Sequence, residues 1–170
     1  MSSLFFRLRF PGLLALTAFI SACAPAEITP QDSGGGDRLA LNARGRLNNG
    51  SPLKITVLQL TDPSRFLSAG YEDLQRDAHK TLRGQVRAGE EIFLLPDDKC
   101  RVLPLPTADD VHYLGIFAEY QDLAHKRWRL LLPLPPRPAA SVWTMLRPPP
   151  PVLRRVTVTP DGLQGNDNEK

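Results

Sequence analysis

From Leu39 onward apolar and polar residues alternate: Leu39, Leu41, Ala43 and Leu47 take odd positions, with Arg38, Asn42, Arg44 and Arg46 between them. A period of two marks a half-buried β-strand. Leu53-Lys54-Ile55-Thr56-Val57 repeats the pattern and then slips phase, so that Leu58 and Leu60 face the other side. A strand whose outer face turns apolar needs a cover, and the next segment offers one. Asp62 and Pro63 suit an N-cap and a first helical residue. Phe66, Leu67, Gly70, Tyr71 and Leu74 then share one helical face, with Arg65, Glu72, Asp73 and Arg76 elsewhere. This predicts a helix over 63–77 lying on the end of the strand marked by Leu58 and Leu60.

Six more strands follow in the pattern, at 91–95, 101–105, 111–120, 128–132, 142–147 and 154–159. The stretch 111–120 is apolar on both faces and rich in aromatic and β-branched residues, which makes it a central strand. Prolines at 96, 104, 106, 133, 135, 136 and 138 punctuate the rest, because proline cannot donate to an inner ladder. Short strands joined by Pro/Gly turns, with one intruding helix and no internal repeat, predict a mainly β fold: a sandwich of about eight strands with a short helical addition.

The N-terminal pattern is different. Arg7 and Arg9 precede LLALTAFISACA at 13–24, an apolar run far shorter than the roughly 20 residues of a membrane span. A basic leader, a short apolar core and small residues before a cleavage point make a secretory signal peptide. Ile20-Ser21-Ala22-Cys23 resembles a bacterial lipobox, in which the cysteine sulfur takes a diacylglyceryl group and the peptidase cuts before it. An ordinary secretory signal with Cys23 incidental is the alternative. On the lipobox reading residues 1–22 are removed and Cys23 carries the anchor, since two or more acyl chains hold a protein stably where one does not. Ala24 stands where an aspartate would signal retention in the inner membrane, which favours the periplasmic face of the outer membrane.

Losing Arg7 and Arg9 with the leader lowers the net charge from +3 to +1. No Lys/Arg-rich block then remains to argue for nucleic acid. Residues 23–37 are rich in Pro, Ser, Gly and Asp without periodicity, a flexible tether that reaches about 50 Å when extended. The β-sandwich domain is expected over 38–163 and a polar tail over 164–170. Cys100 has no partner cysteine once Cys23 is lipidated, and burial beside Val102 and Leu103 is the expectation for it.

No catalytic constellation stands out. His79, His112 and His125 lack metal-ligand spacing, and Asp97-Asp98 and Asp109-Asp110 lack the spacing of a calcium loop, which leaves them as turn residues. Ser64, Ser68 and Ser141 sit in no nucleophile elbow. The expectation is a protein without a cofactor or metal and without enzymatic activity. The proline-rich runs at 133–138 and 148–151 read as strand-end spacers or stiff loops.

The order of pieces behind the lipobox carries a resemblance. Leu47-Asn48-Asn49-Gly50-Ser51-Pro52-Leu53 is followed by Ile55-Thr56-Val57-Leu58-Gln59-Leu60, then by Phe66 and Tyr71-x-x-Leu74. Leu94-Leu95-Pro96, Tyr113-Leu114-Gly115-Ile116-Phe117-Ala118-Glu119-Tyr120 and Trp128-Arg129 complete it. Over 39–132 the chain resembles the type VI secretion lipoprotein family, TssJ (VasD/SciN-like). The resemblance implies a transthyretin-like β-sandwich, a place under the outer membrane, and binding to the periplasmic C-terminal region of TssM, and through it to TssL. It also implies that the loop between the first two strands, Asn48, Asn49, Gly50, Ser51 and Pro52, is a partner contact. Read without the resemblance, Asn-Gly there is a plain hairpin turn. A periplasmic ligand-binding or enzymatic lipoprotein, or a pilotin-like structural one, remains the competing class.

Overall fold

A computed structural model describes residues 36–105, 108–136, 146 and 150–165, all of them in one compact unit, Ser33–Lys170. The leader, Cys23, nearly all of the tether and most of the 133–151 segment lie outside the described residues; of the strand expected at 142–147 only Leu146 is described, and it is helical and exposed rather than extended.

Eight strands form two sheets of four. They are β1 (Arg38–Ala43), β2 (Leu53–Leu60), β3 (Val86–Leu94), β4 (Cys100–Pro104), β5 (Tyr113–Glu119), β6 (Arg129–Pro133), β7 (Leu153–Thr159) and β8 (Gly162–Gly165). One sheet has the order β4-β1-β7-β8 and the other β3-β2-β5-β6. All pairings are antiparallel except β1 with β7. The core between the sheets is supplied by alternate residues: Leu39 and Leu41 of β1, Leu53, Ile55 and Val57 of β2, Leu114, Ile116 and Ala118 of β5, and Val156 and Val158 of β7. β5 is flanked by β2 and β6, the central strand its composition predicts.

The phase slip in β2 has the physical consequence expected of it. Leu58 and Leu60 leave the sandwich core and join a second cluster with Phe66, Leu74, Leu82 and Phe117. The cover is two helices, where the periodicity predicts one: α1 (Ser64–Ser68) and α2 (Tyr71–Leu82), broken at Ala69 and Gly70. Asp62 does cap the start, accepting from the Ser64 N–H at 2.9 Å. Leu67, expected on the packed face, is half exposed, because the five-residue α1 turns Phe66 alone into the core. Asp77 has extended backbone (φ −165°) and its carboxylate accepts from the Lys80 N–H at 2.9 Å. It is therefore an internal N-cap, and the chain makes one further turn to Leu82 beyond the predicted end.

The helices are latched to the sheet by residues distant in sequence. The Arg129 guanidinium donates to the carbonyls of Phe66 and Ala69, both at 3.1 Å, which satisfies the free C-terminal end of α1. Trp128 meets Tyr71 edge to face at 5.2 Å, and the Arg129 guanidinium lies 5.0 Å above the Trp128 ring. Gly115 makes the room, since a Cβ there would stand 3.0 Å from the Phe66 ring and 2.8 Å from Leu60. On the same outer face Lys54 bridges Glu91 and Glu119 at 3.1 Å each, joining β3, β2 and β5. Partial burial pulls the Lys54 pKa down, but the hydrogen bonds and charges of the two glutamates prevail and raise it.

Three further expectations need correction. β3 begins at Val86, five residues before the predicted strand, because 86–91 is an exposed edge segment with no apolar alternation to reveal it. Cys100 is exposed. In β4 the inward residue is Leu103, so Cys100 and Val102 fall on the outer face. Gln164 and Gly165, placed by composition in the polar tail, belong to β8, where a single buried Leu163 anchors the strand to the core.

Candidate docking surface

β1 ends at Ala43 and β2 begins at Leu53 in the opposite sheet, so the loop between them crosses from one sheet to the other and is not a hairpin turn. It crosses through a short 3-10 turn, Leu47–Gly50. Leu47 is buried in the sandwich core. Asn48, Asn49 and Gly50 follow with φ of 45°, 57° and 84°. Asparagine enters this left-handed region more readily than other residues with a Cβ, and glycine enters it freely.

The five residues that the resemblance marks do not share one role. Asn48 is only 5% exposed. Its side-chain amide donates to the Pro52 carbonyl at 2.9 Å and accepts from the Gln121 N–H at 2.8 Å. Asn48 thus points inward and closes its own loop onto the β5–β6 connection. Gly50 backs onto Arg46, whose Nε would lie 3.0 Å from a Cβ at that position. Asn49 and Pro52 are exposed and Ser51 is partly so.

Sequence reasoning missed the rest of this end. The Tyr120 hydroxyl donates to the Thr159 carbonyl at 2.9 Å. Burial, helped by the charge of Asp161, pushes its pKa well above the usual tyrosine value, so the group stays a donor. The Lys126 ammonium sits 5.2 Å from the centre of the same ring. No periodicity could have linked Asn48 to Gln121, since the bond spans 73 positions.

The residues weighed for chemistry are apart. Asp110 pairs with Arg87, Asp98 closes a turn by accepting from the Leu95 N–H, and the Ser64 hydroxyl bonds to Asp62. His79 packs against Gly89, His112 lies beside the end of β2, and His125 is exposed in a loop. Among the described residues no group of three His, Cys, Asp or Glu could hold a metal ion. No helix among them is long and apolar enough to cross a membrane.

The family model described as type VI secretion lipoprotein (VasD, EvfM, TssJ) matches residues 37–158. The chain belongs to this family. The solved structure of Serratia marcescens Lip, a membrane-bound component of the type VI secretion system, is 30% identical with a TM-score of 0.66. The match covers 75% of this chain and 94% of that one. The lipoprotein TssJ1 from Pseudomonas aeruginosa is 23% identical with a TM-score of 0.60, over 76% and 94% of the two chains. A chain in a structure described as the TssM C-terminal domain from EAEC is 21% identical with a TM-score of 0.55, over 76% and 95%. No curated protein matches the chain. The TssJ resemblance drawn from the sequence is thereby established, and so is the sandwich with its helical addition. Six of the residues that carried it, Phe66, Tyr71, Leu74, Gly115, Trp128 and Arg129, latch the helices to the sheet.

Proposed function

We propose that this TssJ-family lipoprotein sits on the periplasmic face of the outer membrane, held by acylated Cys23, and anchors the type VI membrane complex. It does so by binding the periplasmic C-terminal region of TssM, and through it TssL. Asn49, Ser51 and Pro52 supply contacts, with Gly50 shaping the loop and Asn48 holding it. The observation that carries the reading is the preordered loop at one end of the sandwich, while the chain from Cys23 enters at the other, where β1 starts. A loop fixed before binding loses little entropy on docking, and a rigid scaffold commonly presents binding residues on such loops. The similar chain in the TssM C-terminal domain structure supports the choice of partner.

The test keeps Asn48 and Gly50, which hold the loop's shape, and changes Asn49, Ser51 and Pro52 together to alanine. Calorimetry of the mature lipoprotein in detergent with purified TssM periplasmic region should show affinity reduced at least tenfold, about 1.4 kcal/mol. The melting temperature should fall by only the few degrees that alanine's strain at the positive φ of Asn49 costs. A folded variant that binds as tightly as the parent would place the interface elsewhere.

The anchor has its own test. Cys23→Ala should abolish labelling by a palmitate analogue and release the protein from the outer-membrane fraction. Unchanged labelling and fractionation would refute the lipid anchor.

A further inference from the structure

The end of the sandwich opposite the chain entry carries three loops that are bonded to one another. Asn48 joins the β1–β2 loop to Gln121 of the β5–β6 loop. The β5–β6 loop is in turn joined to the β7–β8 turn: the Arg127 N–H donates to the Asp161 carbonyl at 3.1 Å, and the Leu163 N–H to the Arg127 carbonyl at 2.8 Å. Gly162, at φ 127°, allows this approach, because a Cβ there would stand 2.5 Å from the Arg127 backbone. The β1–β2 loop also touches the β7–β8 turn, where Gly45 lies against Pro160. Hydrogen bonds at two junctions and one van der Waals contact thus hold the three loops together.

The charge of this body is one-sided. Arg44, Arg46 and Arg127 are exposed and Lys126 is partly so, against the exposed acids Asp122 and Asp161. None of these four cations makes an ion pair with a described residue, and Lys126 lies over the Tyr120 ring. Asp122 is already occupied in part, its carboxylate accepting from the Ala124 N–H at 2.9 Å. The β3–β4 turn, at the edge of the same end, adds Asp97, Asp98 and Lys99, and is tied to the root of the β1–β2 loop by the Ala43 N–H, which donates to the Lys99 carbonyl at 2.9 Å.

Resting on the TssM reading above, we infer that the partner surface is this whole three-loop end and that the face of TssM it meets is acidic. Unpaired cations on a preorganised surface steer an acidic partner into register and raise the association rate by tenfold to a thousandfold. An anionic lipid surface would attract the same charges. The tether joins the sandwich at the other end, at β1's first residue Arg38, so the attachment itself leaves the three loops uncovered.

The experiment measures association of the mature lipoprotein with purified TssM periplasmic region by surface plasmon resonance. It is run at about 0.05 M and 0.5 M salt, where the screening length falls from more than 10 Å to less than 5 Å. Arg44→Glu/Arg127→Glu should slow association at low salt about tenfold or more, and the parent's rate should fall as salt rises. Arg127→Glu alone should give a smaller effect in the same direction, and Arg76→Glu on the outer helix should leave the rate unchanged. Melting temperatures control for folding. If the parent binds and the Asn49/Ser51/Pro52 variant is weakened while the double reversal is not, the three-loop surface is wrong and the β1–β2 loop stands alone. An equal effect from Arg76→Glu would reduce the result to net charge and overturn the inference. Tighter binding of a Cys23→Ala parent, which lacks the acyl anchor, to vesicles rich in anionic lipid than to TssM would overturn it in favour of a membrane contact. A parent that binds neither would refute the TssM reading itself.

Discussion

Phe66→Ala is expected to destabilise the protein by about 3–5 kcal/mol, the range for emptying a fully buried phenylalanine site. Phe66 has no exposed surface and sits among Leu58, Leu60, Leu74, Leu82 and Phe117. Its ring lies over Gly115, within 3.0 Å of where a Cβ would be. The cavity cannot close easily, because Arg129 holds the carbonyls of Phe66 and Ala69 and so fixes α1 against the sheet. Against a total stability of about 5–15 kcal/mol, the loss is a large fraction. It should lower the melting temperature by about 10–20 °C for a domain of this size. Urea unfolding checks the number, the midpoint falling while the slope stays constant. A second variant isolates the contact. Gly115→Ala should be costly in the parent and milder when Phe66 is already alanine, with a coupling of about 0.5 kcal/mol or more. An unchanged midpoint in Phe66→Ala would mean that the helices ride on the sheet without stabilising it.

That prediction rests on a feature readable in one dimension. The slip of β2 from Ile55 and Val57 to Leu58 and Leu60 puts two leucines on an outer face, and the helical period of Phe66 and Leu74 supplies the cover. Such signals are local, so they survive in the bare sequence. The elements that escaped lack them. The first half of β3 is held by pairing with β2 and buries almost nothing, and β8 has one buried side chain, Leu163. The helix was legible as a face but not as two pieces. Its break at Ala69 and Gly70 is satisfied by Arg129, 60 positions from Ala69, and no periodicity encodes that bond. Cys100 was misplaced for a related reason: in a short edge strand, one residue of register decides between core and solvent. In the candidate site the loop itself could be found, since Asn-Asn-Gly announces left-handed backbone. Its division into a buried clamp and an exposed rim could not.

Asn48 makes that division testable, and its loss should register in stability as well as in binding. Both polar ends of its side chain are used, one on Pro52 and one on Gln121, at a site 5% exposed. Asn48→Gly removes both bonds and leaves the Gln121 N–H without its acceptor, while a glycine keeps φ near 45° without strain. The expected cost is about 1–3 kcal/mol, the loss of two part-buried hydrogen bonds at about 0.5–1.5 kcal/mol each. Asn48→Ala should cost about 1–2 kcal/mol more, because alanine pays for the left-handed backbone that glycine does not. An exposed contact residue would behave in the opposite way: Asn49→Ala removes no hydrogen bond that the structure contains and should shift the urea midpoint little beyond the strain of its own positive φ. Hydrogen exchange adds a local readout. In Asn48→Gly the amides of Gln121 and Ser51 should exchange faster, while those of β2 and β5 keep their protection. The ordering matters for the proposed binding too, since Asn48→Gly should weaken TssM association by freeing the loop even though the side chain is turned inward. Equal stabilities for the parent, Asn48→Gly and Asn48→Ala, with unchanged exchange at Gln121, would show that the loop is held by Leu47 and the strands alone. Asn48 would then return to the set of residues free to face a partner.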